Sequence, residues 1–241
     1  MSIILFIFGS CLGSFFNVCI YRIPRGKSIV MPPSACPKCK HRIMWYDNIP
    51  ILSYLLLKAK CRFCGEKISI IYPVVELLTA IVFLVTYLKF GLSAKLVIYL
   101  ILFSLFIIIG FIDADTETIP DVLSIPGIII GLGTSFFTIG IKSSLLGMLV
   151  GAGVIGFFIG FWLLVFKKEG MGMGDLMLMA MIGSFTGWVS ALYTIFYGSI
   201  IGLVFAASLH KKSLQDKLYF GPALVIASFL IIMFGKNILI L

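Results

Sequence analysis

Charged side chains are scarce: Asp, Glu, Lys and Arg make up 12% of the 241 residues. A soluble domain carries about 25%, so this composition excludes one. Polar low-complexity tracts are missing, which excludes disordered and fibrous classes. Acids number ten and histidines two, so their positions carry information. The first apolar run lacks a basic stretch before it; its positive charges follow instead. Residues 1–21 are therefore expected to stay as a span and not to act as a cleaved signal. No internal repeat stands out.

What is present is apolar. Hydrophobic residues reach 61%, in continuous runs that do not alternate, so a β-barrel is excluded. The fold class is all-α, a polytopic membrane protein with about eight transmembrane helices. Cutting the runs at charges, Gly and Pro gives spans near 3–21, 73–90, 94–112, 119–140, 143–166, 175–191, 192–209 and 218–235. The cut at 191–192 has no charge to mark it and rests on length alone. The organisation read from this is a first helix (1–21), a cytoplasmic loop domain (22–72) and a membrane-embedded remainder (73–241).

The +9 net charge is uneven. Between Arg22 and Lys67 stand ten Lys/Arg against Asp47 and Glu66. A nucleic-acid patch would look similar, but the loop adjoins spans, and a basic excess is what topology requires of a cytoplasmic loop. No nucleic-acid partner is expected; anionic lipid headgroups are. With this loop inside, the Lys/Arg split is 15 inside to 4 outside.

Four of six cysteines form two pairs, Cys36-Pro-Lys-Cys39 and Cys61-Arg-Phe-Cys64, with 21 residues between them. This resembles a four-cysteine zinc site. Pro37 stiffens the first turn and Gly65 lets the second fold back. Disulfide or redox pairing is the rival; the reducing cytoplasm disfavours it. Four protein ligands leave no open position, so the zinc is read as structural, folding a loop with little core of its own. Cys11 and Cys19 are expected as buried free thiols. Glycines Gly147, Gly151, Gly156 and Gly160 are read as helix-packing positions. His41 and His210 are read as solvated loop residues.

The acids gather at one membrane edge. Asp113, Asp115, Glu117 and Asp121 form one segment; Asp175 follows Gly170-Met-Gly172-Met-Gly174. Ionisable groups at membrane depth default to function. Asp113 is expected at a helix C-terminus and Asp175 at a helix N-terminus, where the dipole favours charge. Such a pair would share one proton, with Asp113 the expected holder, as a water-activating aspartyl dyad needs. Gly172 and Gly174 would let a substrate backbone pass close. A transporter would instead place acids near the midplane, and a zinc-loop scaffold would leave Asp113 and Asp175 without a role.

Gly172-Met-Gly174-Asp175 resembles the GxGD signature of intramembrane aspartyl proteases. Asp113 to Ile119-Pro120-Asp121 resembles the other half of the bacterial type IV prepilin peptidase site. Gly13-Ser14-Phe15-Phe16-Asn17-Val18, Tyr21-Arg22-Ile23-Pro24, Asp47-Asn48-Ile49-Pro50 with the CxxC pairs, and Tyr72-Pro73-Val74-Val75-Glu76 resemble further motifs of that family. The resemblance covers most of the chain and implies Asp113 and Asp175 as the catalytic pair. It implies removal of a basic leader from prepilins or pseudopilins, after a glycine, at the cytoplasmic face of the bacterial plasma membrane. It also implies N-methylation of the new N-terminal residue with S-adenosylmethionine; the chain has no soluble methyltransferase motif. A peptidase without methylation stays open. Asn17 and Glu76 are candidates for a methyltransferase or substrate role. The alternative for Glu76 is an interfacial carboxylate paired with a loop Lys or Arg.

Overall fold

A computed structural model describes residues 1–167, 172–208 and 220–238. Gly170, His210 and the whole of the loop expected near 210–217 lie outside them. The described residues form nine α-helices: α1 (Ser2–Arg22), α2 (Leu52–Leu56), α3 (Ile71–Phe90), α4 (Ala94–Thr116), α5 (Asp121–Thr134), α6 (Ile141–Phe166), α7 (Met173–Thr186), α8 (Trp188–Ser208) and α9 (Phe220–Ile238). Five are long and apolar enough to cross a membrane, namely α1, α3, α4, α6 and α8. The apolar segments around α5, α7 and α9 are shorter. These eight helices fall on the eight stretches expected from the sequence.

Two ends differ from expectation. The α7–α8 break falls at Gly187, not at 191–192. Gly187 has φ +83°, a left-handed conformation that ends a helix cleanly only when no Cβ is present. A Cβ there would also meet Ser143 at 2.7 Å. The α4 helix runs on to Thr116, so Asp113 sits a turn inside the end, its C=O accepting the Glu117 N–H at 2.9 Å.

The chain divides into two compact units, Met1–Leu100 and Ile101–Leu241. In the first, α1 packs on α3 through glycines. A Cβ on Gly9 would lie 2.9 Å from Ala80 Cα, and one on Gly13 would lie 2.7 Å from Glu76 Cα. Spacing of four residues on both helices brings the backbones together, the usual solution where lipid supplies no hydrophobic drive. Phe83 and Val75 fill the seam.

In the second unit, α6 and α7 meet in the same way. Gly147 faces Gly183 so closely that a Cβ on either would overlap the other's backbone. Gly151 abuts Met179, and Gly156 abuts Leu176 at 3.4 Å. Gly160, expected in this seam, has nothing near its Cβ position among the described residues. Gly156 meets α7 near its first turn, and Gly160 stands one turn further along α6. The core of this unit is Phe103, Phe106, Ile109, Ile112, Leu178, Met181, Ile182 and Phe185, all fully buried.

Candidate active site and four-thiol cluster

The second unit carries an acid pair. Asp113 is buried, on the last full turn of α4. Asp175 lies in the first turn of α7 and is half-buried. The two are close enough for their charges to act on each other. The glycine motif builds the second acid's setting. Gly172 is the N-cap of α7, extended at φ −78°, ψ 144°. Its C=O accepts the Asp175 N–H at 3.1 Å, and its own N–H donates back to the Asp175 carboxylate. That is one half of a capping box, with Asp in the position that Glu or Gln more often fills.

Gly174 has a reason within the chain. A Cβ there would lie 2.8 Å from Cβ of Ile119. Ile119 follows the acidic segment, so the bare Gly174 lets the Asp113 segment close on the start of α7. Gly172 differs: among the described residues its missing Cβ would meet only the Asp175 carboxylate, at 3.8 Å, and the Gly174 N at 3.9 Å. Gly221, in the first turn of α9, belongs to none of the sequence motifs. Its N–H donates to the Asp113 carboxylate.

Asp115, expected in an interfacial loop, lies in the last turn of α4, and Glu117 just past it; both are exposed. Glu117 holds φ +53° where the chain leaves α4, and its charge acts on Asp113. The Thr116 and Thr118 hydroxyls bond across it at 2.8 Å. Asp121 opens α5 as a first-turn acid.

The first unit holds the cysteines. The thiols of Cys36, Cys39, Cys61 and Cys64 lie within 4.8 Å of one another, with Cys36 and Cys64 Sγ 3.7 Å apart. Four sulfurs around a tetrahedral zinc at about 2.3 Å stand about 3.8 Å apart, so the set fits that ion.

Each CxxC is a turn closed by one backbone bridge, Ala35 to Arg42 and Lys60 to Lys67. The two turns match in register with an offset of 25 residues. Cys36 N–H donates to His41 C=O as Cys61 N–H does to Glu66 C=O. Lys40 N–H returns to Cys36 C=O as Gly65 N–H does to Cys61 C=O, both at 3.0 Å. Lys40 and Gly65 both sit left-handed, at φ 59° and 70°. Cross-contacts repeat as well: Lys38 pairs with Glu66 at 2.5 Å, while Phe63 stacks on His41. This pseudo-twofold is invisible in the sequence beyond the CxxC itself.

Backbone N–H groups of Cys39 and Lys38 point at the Cys36 sulfur and push its thiol down to about 6. A cysteine held that low is a thiolate at neutral pH, the form a metal needs. Cys64 receives the Glu66 N–H, but desolvation and three neighbouring thiols push it up to about 11. Four crowded thiols cannot all ionise without a cation between them.

The motif acids of this unit brace the loop. Asp47 takes a bidentate grip from Arg62, with Nη2 at 2.6 Å. Glu76 is buried and accepts Ile51 N–H at 2.7 Å and the Ser14 hydroxyl. Those partners, and not a loop Lys or Arg, are its hydrogen bonds. Ile51 sits at φ 62°, costly for a β-branched residue, and the buried carboxylate holds it there. Asn17 is buried and donates to Tyr72 C=O at 3.0 Å. Cys19 is buried as expected, but Cys11 is exposed. It lines a cavity of about 290 Å³ with Ser14, Arg22, Ile29, Pro32 and Asn48.

The described residues are helical and apolar, with an acid pair near the ends of two of the helices. Comparison with known proteins gives the family. Residues 7–90 match the bacterial peptidase A24 N-terminal domain, and residues 100–207 match the type IV leader peptidase family. The chain belongs to the type IV leader peptidase family. A relative from Myxococcus xanthus is 40% identical over 84% of this chain and 61% of its own length. One from Neisseria gonorrhoeae is 36% identical, over 93% of this chain and 87% of its own. One from Pseudomonas aeruginosa is 34% identical, over 95% and 89%. Each is a prepilin leader peptidase/N-methyltransferase. These homologues support leader cleavage and N-methylation as the activities of the family here. No solved structure matches the chain.

Proposed function

We propose that the chain removes the basic leader from prepilins or pseudopilins, with Asp113 and Asp175 as the catalytic pair. The observation that carries this is their approach, from two separate helices, at one end of the second unit. One ionised carboxylate takes a proton from water, whose oxygen attacks the carbonyl carbon of the glycine before the cut. The other carboxyl gives its proton to the leaving amine as the C–N bond breaks. The products are a leader carboxylate and a new N-terminus. Each aspartate accepts one backbone N–H, from Gly221 and Gly172 respectively, and the charge of Asp113 acts on Asp175, so the two share their protons as a pair. The Cβ side of Gly172, which no described residue approaches closer than 3.8 Å, is the place for the substrate backbone. Gly174 serves that role through Ile119, by shaping the floor beneath it.

The reading extends to the whole chain. Eight helices, the three shorter ones included, span a bacterial plasma membrane, with the loop 22–72 and both aspartates on the cytoplasmic side. The functional divisions are the helix 1–21, the loop domain 22–72 and the peptidase region 73–241. Cys36, Cys39, Cys61 and Cys64 would hold a structural zinc, which supplies a fixed tetrahedral centre for both turns. S-adenosylmethionine, when bound, would supply the methyl group for the new N-terminal amine, which loses a proton as S-adenosylhomocysteine leaves. Asn17 and Glu76 fix the α1–α3 seam and the 49–51 backbone beside the cavity, which ties them to methylation through positioning. Membrane lipid and the prepilin substrates are the partners; no nucleic acid is among them.

The test is cleavage of a prepilin-type substrate by wild type, Asp113→Asn and Asp175→Asn. Loss of cleavage in both variants while N-methylation of a leaderless substrate persists fits the reading; cleavage by either variant at the wild-type rate contradicts it.

A further inference from the structure

We infer that Gly221 positions the Asp113 carboxylate for catalysis, by donating its backbone N–H and by carrying no side chain. This rests on the reading that Asp113 is one of the catalytic pair. Two separate features point to it. The Gly221 N–H donates to the Asp113 carboxylate. A Cβ added at Gly221 would overlap Asp113 Oδ2 and lie 3.1 Å from its Cγ. Gly221 therefore fixes where the carboxylate stands from one side, and any other residue would move it.

The surroundings leave the carboxylate no easy retreat. Asp113 is buried, and Ile112, its neighbour, is fully buried. The same Gly221 Cβ would meet Ile119 Cδ1 at 3.3 Å. Ile119 is already pressed against Gly174, one residue before Asp175. Ile119 thus stands between the start of α7 and the start of α9. Gly174 and Gly221 both converge on this one side chain, and Gly221 on Asp113 as well.

The backbone conformation of Gly221 is helical. Glycine is there for space, not for a left-handed turn. A misplacement on the order of 1 Å at a reacting group costs about a hundredfold in rate. Alanine here forces a shift of that scale.

The experiment compares four full-length proteins in detergent or nanodiscs: wild type, Gly221→Ala, a backbone ester at position 221, and Asp113→Asn. The ester, made by incorporating glycolic acid at 221, removes the N–H and adds no atoms to the side chain. Two rates are measured on each: leader cleavage of a prepilin-type peptide, and N-methylation of the same peptide supplied without its leader. Melting temperature is recorded alongside.

Gly221→Ala is expected to lower kcat for cleavage at least tenfold, with KM within about threefold and methylation unchanged. The ester is expected to lower kcat about tenfold with the same pattern, and it decides the matter if Gly221→Ala does not fold. Either folded variant cleaving at the wild-type rate overturns the inference. So does a parallel loss of cleavage, methylation and melting temperature, which marks a packing residue only. Cleavage by Asp113→Asn at the wild-type rate would instead overturn the reading of the catalytic pair.

Discussion

Single residues carry most of the chemistry here, and several are legible in the amino-acid sequence alone. Ten acids in 241 residues make each one conspicuous, and Asp113 and Asp175 stand at helix ends. Gly221 is not legible, because a glycine before proline reads as an ordinary helix start; its meaning lies in Asp113, more than a hundred residues away. Lys40 is hidden for a similar reason. It occupies the left-handed position that Gly65 fills in the matching turn. A left-handed L-residue costs about 1–2 kcal/mol, which glycine avoids. Lys40→Gly should therefore leave zinc retention equal to or better than wild type, whereas Gly65→Val should weaken it by about 1 kcal/mol or more. Competition with a chelator under the same conditions reads both; weaker retention in Lys40→Gly would contradict the matched-turn reading. Glu76→Gln keeps the shape but weakens the grip on Ile51 N–H. It should slow N-methylation more than cleavage, measured as separate rates on one peptide pair.

Helices are legible where charge or Pro marks their ends. The run Arg22, Arg25, Lys27 closes α1, and Lys89 with Gly91 closes α3. The α7–α8 boundary is hidden because both sides are apolar, and the break is made by the backbone of Gly187 against Ser143. The packing seams are half legible. Gly147 and Gly151 do face α7, whereas Gly9 and Gly13 escape notice although they share the same four-residue spacing. At this scale a matched pair of substitutions is informative. Gly183→Ala must push α7 from α6 against the Gly147 backbone, costing about 1–3 kcal/mol and shifting Asp175 with its helix. It should lower both melting temperature and cleavage. Gly160→Ala meets nothing among the described residues and should change neither by more than about 0.5 kcal/mol. Equal effects from the two would show that the α6–α7 seam is not where the structure puts it.

For the molecule as a whole, labour divides between two compact units. The first carries the thiol cluster, the Glu76–Ile51 brace and the cavity beside α1; the second carries both aspartates. Removing zinc should therefore unfold the two cysteine turns, seen as faster amide exchange over 34–43 and 59–68. Cleavage should survive this better than methylation. Metal analysis should find about one zinc per chain before chelation and none after. The central claim is that the two aspartates perform leader cleavage. The most direct measurement is mass spectrometry of a prepilin-type substrate co-expressed with wild type or with Asp175→Asn. Loss of the leader plus one methyl group is predicted with wild type, and an intact leader with the variant. A substrate cut equally by both would contradict the claim.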